Sequence, residues 1–100
     1  MFENPNRAQR EGFPYFVVMQ SDQLDFFSTR FVMPLARMAQ VPAVLPRRLS
    51  QTVEIRGERL HPAAHLSAPL PKRVMGEPVA SLKAQADVLR EALDAVVSGV

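Results

Sequence analysis

The sequence predicts a mainly β fold that ends in one α-helix. Three observations carry that expectation. Short aromatic and β-branched runs, FPYFVVM (13–19), TRFVMPLA (29–36) and TVEIRGERL (52–60), are separated by turn-forming residues. The links QVPAVLPRR (40–48) and HPAAHLSAPLPKR (61–73) hold five of the chain's nine prolines and show little periodicity. From Ser81 onward the apolar residues change to a helical spacing.

In chain order, Phe13 to Met19 reads as a buried strand that runs into QSDQLD, a polar patch suited to a turn. Thr29 to Ala36 is a second strand, with Pro34 expected at an edge or a bulge because it has no backbone donor. Gln40 to Arg48 is an exposed loop ending in adjacent arginines. Thr52 to Leu60 is a hairpin: Val53 and Ile55 point one way, Thr52, Glu54 and Arg56 the other, and Gly57 takes the positive φ of the turn. HPAAHLSAPLPKR reads as loop, and RVMGEPV as a short strand or a lead-in to the helix. Val79, Leu82, Ala86, Leu89, Leu93, Val96 and Val100 then recur at three- and four-residue intervals, one face of a helix with Ser81 as its N-cap. Lys83–Asp87 and Arg90–Asp94 are weak i,i+4 pairs on the other face. The stripe is expected to pack on the strands for its first three turns. The last residues, VVSGV, are either a frayed end or a working surface.

With 100 residues and 47% hydrophobic content, one domain is expected and not two. A domain this small buries a modest share of its surface, so a second copy is an expected partner. The net charge is +2, and ten of the twelve basic residues are arginine, which favours paired contacts to carboxylate or phosphate over DNA wrapping. The chain has no cysteine, and so no disulfide frame or thiolate site. MFENPNRAQREG carries acids and lacks the apolar stretch of a signal peptide, and no apolar run reaches the length of a membrane span. A cytoplasmic protein is expected, without a membrane partner.

No residue set calls for catalysis. His61 and His65 are four apart, but Pro62 lies between them and no third ligand is near, so a loop or surface role is expected and no metal. Asp22 and Asp25 suit turn and cap duties better than an acid–base pair. Met19, Met33, Met38 and Met75 read as core fillers. There is no glycine-rich phosphate loop and no nucleophile elbow. Neither a cofactor nor an enzyme activity is expected; the chemistry is recognition.

The run PYFVVMQSDQLDFFSTRFVMPLA resembles the second and third strands of the CcdB family of toxins, whose pattern is close to PYFVDVQSDLLD followed by TRLVIPL. VEIRGERL is similar to a hairpin of that family. MGEPVASL and a helix ending in an apolar–Gly–apolar tail continue the match, in order, from Phe13 to Val100. FENPN resembles the end of the family's first strand. Two positions depart in the tail. Plasmid-borne toxin of this kind carries Trp where this chain has Ser98 and an aromatic at Val97, while chromosomal relatives commonly carry Ser or Thr in place of the Trp. Val18 also stands where Asp is usual.

The resemblance implies an SH3-like β-barrel (about 1–78) with a C-terminal helix (about 79–100), one toxin domain over 1–100, and a two-fold dimer. It implies the toxin of a type II toxin–antitoxin pair, which binds the A subunit of DNA gyrase and traps the cleaved-DNA complex without catalysis of its own. The family's gyrase contacts fall on Gln23, Leu24, Asp94, Val97, Ser98, Gly99 and Val100. An antitoxin with a flexible tail neutralises such toxins, and operator DNA is bound only through it. By charge, Arg7, Arg10, Arg47 and Arg48 are expected to meet an acidic antitoxin tail. Two alternatives stand beside this: a non-toxic dimer that only captures an antitoxin, and a MazF-like ribonuclease toxin resting on Thr29 and Arg30.

Overall fold

The structure is a computed structural model, which describes residues 1–19, 28–42, 44–45 and 50–98. Six strands form one curled antiparallel sheet: β1 (Phe2–Glu3), β2 (Tyr15–Val18), β3 (Thr29–Arg37), β4 (Val53–Ile55), β5 (Glu58–Pro62) and β6 (Ala68–Pro71). The order is β1-β2-β3-β5-β4, with β6 also paired to β3. Helix α1 (Ala86–Ser98) follows. A mainly β, half-barrel fold with one C-terminal helix is therefore present.

Strand β3 organises the sheet. Val32 to Leu35 pair with β2 on one side, while the other side is shared: Thr29 to Val32 pair with β6 and Leu35 to Arg37 pair with β5. Pro34 is thus in a central strand, not at an edge. Its carbonyl accepts from the Ala63 amide at 2.9 Å, so its nitrogen also faces the junction between β6 and β5, where no ladder bond is lost.

The segment 61–73, expected as loop, is mostly structured. His61 and Pro62 complete β5, Ala64–Leu66 form a 3-10 turn, and Ala68–Pro71 form β6. The prolines are tolerated by parity. Phe31 accepts at its carbonyl from the amide of Met19, just past β2, so Pro69, opposite Phe31, and Pro71, two residues on, turn their nitrogens to the outer edge.

The hairpin forms as expected. Arg56 (φ 51°) and Gly57 (φ 81°) take the two positive-φ positions of a tight turn, and Val53 and Ile55 are buried while Glu54 is exposed. The first strand is only two residues long, yet Phe2 is 2% exposed and meets Phe16 edge-to-face at 6.0 Å.

RVMGEPV resolves as a lead-in, with a 3-10 turn at Lys72–Val74 and irregular chain after it. The helix starts later than expected. Ser81 Oγ accepts from the Lys83 amide at 3.4 Å, but Lys83–Gln85 form a 3-10 turn and the α-helix proper begins at Ala86. Leu82, Leu89 and Ala92 enter the core with Val17, Met33, Leu35, Val53, Ile55 and Leu60, while Leu93 and Val96 pack at its border. Ala92 was not in the sequence stripe; it is small enough for the helix to lie close to the turn at Ala64–Leu66. Arg90 reaches back to Asp87 at 3.9 Å, an i,i+3 pair. Met33 is a core residue as expected, whereas Met38 is exposed.

Candidate functional surfaces

Asp94 lies exposed on α1, C-terminal to the buried Leu89 and Ala92. Val97 and Ser98 occupy its last turn. Gln23, Leu24, Gly99 and Val100 lie outside the described residues, as do Arg47 and Arg48. Of the seven positions expected to contact gyrase, three are therefore placed, together, on the final turns of one helix. Val96 on this helix packs at the border of the core.

Arg7 and Arg10 are brought together. Asn6 caps a 3-10 turn at Arg7–Gln9 by accepting the Ala8 amide at 3.1 Å, which leaves Arg7 exposed on the first turn position. Arg10 follows, and its guanidinium is partly engaged: Nε donates to the Asn4 carbonyl at 2.6 Å, and NH1 lies 3.7 Å from Glu3. Both arginines border a cleft of about 460 Å³ with Glu3 and Glu77. That cleft is mixed in charge, so Arg7 is the freer cation of the two.

A second cleft lies on the other side of the same turn and was not foreseen. Ala8, Gln9, Phe13, Phe16, Pro34 and the exposed Leu66 line about 470 Å³. Gly12 and Gln40 also border it in close approach: a Cβ at Gly12 would stand 3.0 Å from the Gln40 side chain. Phe13 and Phe16 had signalled a buried strand. Only the arm at 7–12, folded back over β2, turns their edges into a cleft wall.

The histidines are not a matched pair. His61 sits within β5 opposite Ala36 and is 6% exposed, against the expectation of a surface or loop role; His65 is exposed on the next turn. Burial, and secondarily His65, push the His61 pKa below its ordinary value. No group of three or more His, Asp or Glu able to hold a metal occurs among the described residues. Arg30 is 4% exposed, and its NH1 donates to the Thr29 carbonyl at 3.0 Å, so it is turned into the fold and not toward an RNA strand. No helix among the described residues is long and apolar enough to cross a membrane.

A comparison with curated proteins finds no match. The family model described as CcdB protein matches residues 1–99, nearly the whole chain. The curled antiparallel sheet with one C-terminal helix agrees with that match. The chain belongs to the CcdB family, the non-enzymatic toxins of toxin–antitoxin pairs.

Proposed function

We propose that this protein is a cytoplasmic, homodimeric toxin that binds the A subunit of DNA gyrase and traps the enzyme with its DNA cleaved. Family membership supports the toxin role. The observation that carries the finer reading is that the final turns of α1, which runs to Ser98, bring three of the expected contact positions, Asp94, Val97 and Ser98, together on one helix, with Asp94 exposed. Asp94, Val97, Ser98, Gly99 and Val100 form this contact in our reading, and Gln23 and Leu24 contribute to it. Gly99 allows close backbone approach, and Val100 adds an apolar side chain.

The cognate antitoxin docks elsewhere, along the arm at 7–12. Its apolar residues enter the cleft of Phe13, Phe16 and Leu66, and its acids meet Arg7 and Arg10, with Arg47 and Arg48 as further cations for the same tail. Operator DNA is reached only through that antitoxin. One observation favours a second reading, a dimer that captures antitoxin without poisoning gyrase: Ser98 stands where a large aromatic anchor would supply much of an interface's energy.

Purified protein added to gyrase tests the choice. Loss of supercoiling with accumulation of linear DNA is expected, and a variant ending at Val97 is expected to abolish both. Absence of linear DNA with gyrase from a close host would select the antitoxin-only reading.

A further inference from the structure

Among the described residues the sheet is open, with β1 at one end of its order and β4 at the other. One short segment touches both ends. On the β1 side, the Val79 amide donates to the Met1 carbonyl at 2.8 Å, and the Met1 ammonium donates to the Ala80 carbonyl at 3.3 Å. On the β4 side, the contact is made by a side chain. Gln85 Oε1 accepts the Glu54 amide at 2.7 Å, and Gln85 Nε2 donates to the Glu54 carbonyl at 3.1 Å.

The position of this second contact follows from the ladder. The tight turn at Arg56–Gly57 makes Ile55 and Glu58 a hydrogen-bonded pair, so Val53 and Ile55 direct their backbone groups at β5. Glu54 alone in this three-residue strand turns its N–H and C=O to the free edge. A primary carboxamide offers one acceptor and two donors in the arrangement of a peptide group. Gln85 therefore satisfies the whole outward edge of β4, as a neighbouring strand would, one residue before α1 begins.

We propose that Gln85 is a positioning residue: with Val79, Ala80 and Met1 it makes residues 79–85 a clasp across the open sheet, and this clasp fixes where α1 starts and hence where its last turn is carried. The functional half of the proposal rests on the gyrase reading above; the structural half does not. A contact that only filled space would tolerate any residue of similar size. A peptide mimic needs both an acceptor and a donor.

Gln85→Ala and Gln85→Glu in the full chain separate these cases. Glu54 amide hydrogen exchange is expected to quicken roughly three- to tenfold in Gln85→Ala, since one edge bond is lost. In Gln85→Glu the introduced carboxyl keeps the acceptor, but it has a donor only when protonated. Around it stand the Glu54 carboxylate, Arg59 opposite Glu54 on β5, and Lys83 on its own turn. The folded state then favours the protonated form, which raises the folded pKa above the usual value of about 4.3. The stabilisation is present below the unfolded pKa and is lost as pH rises through the folded one. The melting temperature of Gln85→Glu should accordingly rise relative to that of Gln85→Ala between pH 7 and pH 4. Parent-like exchange at Glu54 in Gln85→Ala, or a flat difference between the two variants across that range, would overturn the clasp. With gyrase, Gln85→Ala is expected to give several-fold less linear DNA than the parent while remaining folded. Undiminished linear DNA would overturn the link from clasp to tail. If the parent itself gives none, the gyrase reading fails, and exchange and pH dependence still decide the clasp.

Discussion

His61 shows how a single residue's surroundings change what its chemistry means. Beside Pro62 it reads as a loop histidine, because the sequence gives no sign that β5 runs on through that proline. The register explains it: Leu35 on β3 faces Pro62, an opposition in which Pro62 turns its nitrogen away from β3, beyond the start of β4. His61 is thereby buried with its pKa below the ordinary 6.5. The sign follows directly. The unfolded chain takes up the proton first, so stability is full above the unfolded pKa and is lost as pH falls, levelling off below the folded pKa. Urea titrations should show the parent weakening from about pH 6.5 downward, and His61→Gln should flatten that decline. Burial lowers the Met1 ammonium in the same direction from 8.0, so a slope nearer pH 8 should survive the substitution. A parent with no slope below neutrality would contradict the burial of His61. Asn4 is a further residue that sequence alone did not single out. It is 1% exposed; Nδ2 donates to the Phe13 carbonyl at 2.9 Å and Oδ1 accepts the Asn6 amide at 2.9 Å, bonds that hold the arm at 7–12 in place.

Elements with local determinants were legible in the sequence, and those with distant ones were not. The hairpin as far as Leu60 was readable because alternation and a glycine turn act within a few residues. Strand β6 was hidden because only its pairing with β3 shows that Pro69 and Pro71 face outward. The apolar cleft beside Arg7 was hidden for a similar reason, since it depends on the arm at 7–12 closing over β2. The helix start was misplaced because Gln85 spends its side chain on β4, which holds Lys83–Gln85 in a tighter turn. The hairpin carries a prediction of its own. Arg56 and Gly57 both adopt positive φ, which costs an ordinary L-residue about 1–2 kcal/mol and glycine very little. No neighbour lies near the place a Gly57 Cβ would occupy, so strain would act without a clash. Gly57→Ala should lower stability by about 1 kcal/mol, and Arg56→Asn should raise it slightly. Guanidinium midpoints for both variants check this; equal midpoints would mean the turn does not hold these angles.

At the scale of the whole molecule, one helix serves two masters, and the two can be separated. Leu82, Leu89 and Ala92 belong to the same core as the strands, so α1 is part of the fold. Leu89→Ala should destabilise the protein by about 2–4 kcal/mol through lost burial and a cavity, a large fraction of the roughly 5–15 kcal/mol of a native domain. Val96 packs at the border of that core, and our reading gives Val97 to Val100 to gyrase. In that reading, ending the chain at Val97 should change the unfolding free energy obtained from urea titration by no more than about 0.5 kcal/mol while abolishing linear DNA. This comparison decides how the gyrase experiment is read. Loss of activity in a truncated chain that is also unstable would say only that the helix had frayed. Loss of activity at unchanged stability, beside a Leu89→Ala variant that loses stability and activity together, would locate the working surface in the tail. A truncated chain as active as the parent would move the contact back along α1 toward Asp94, or away from the helix altogether.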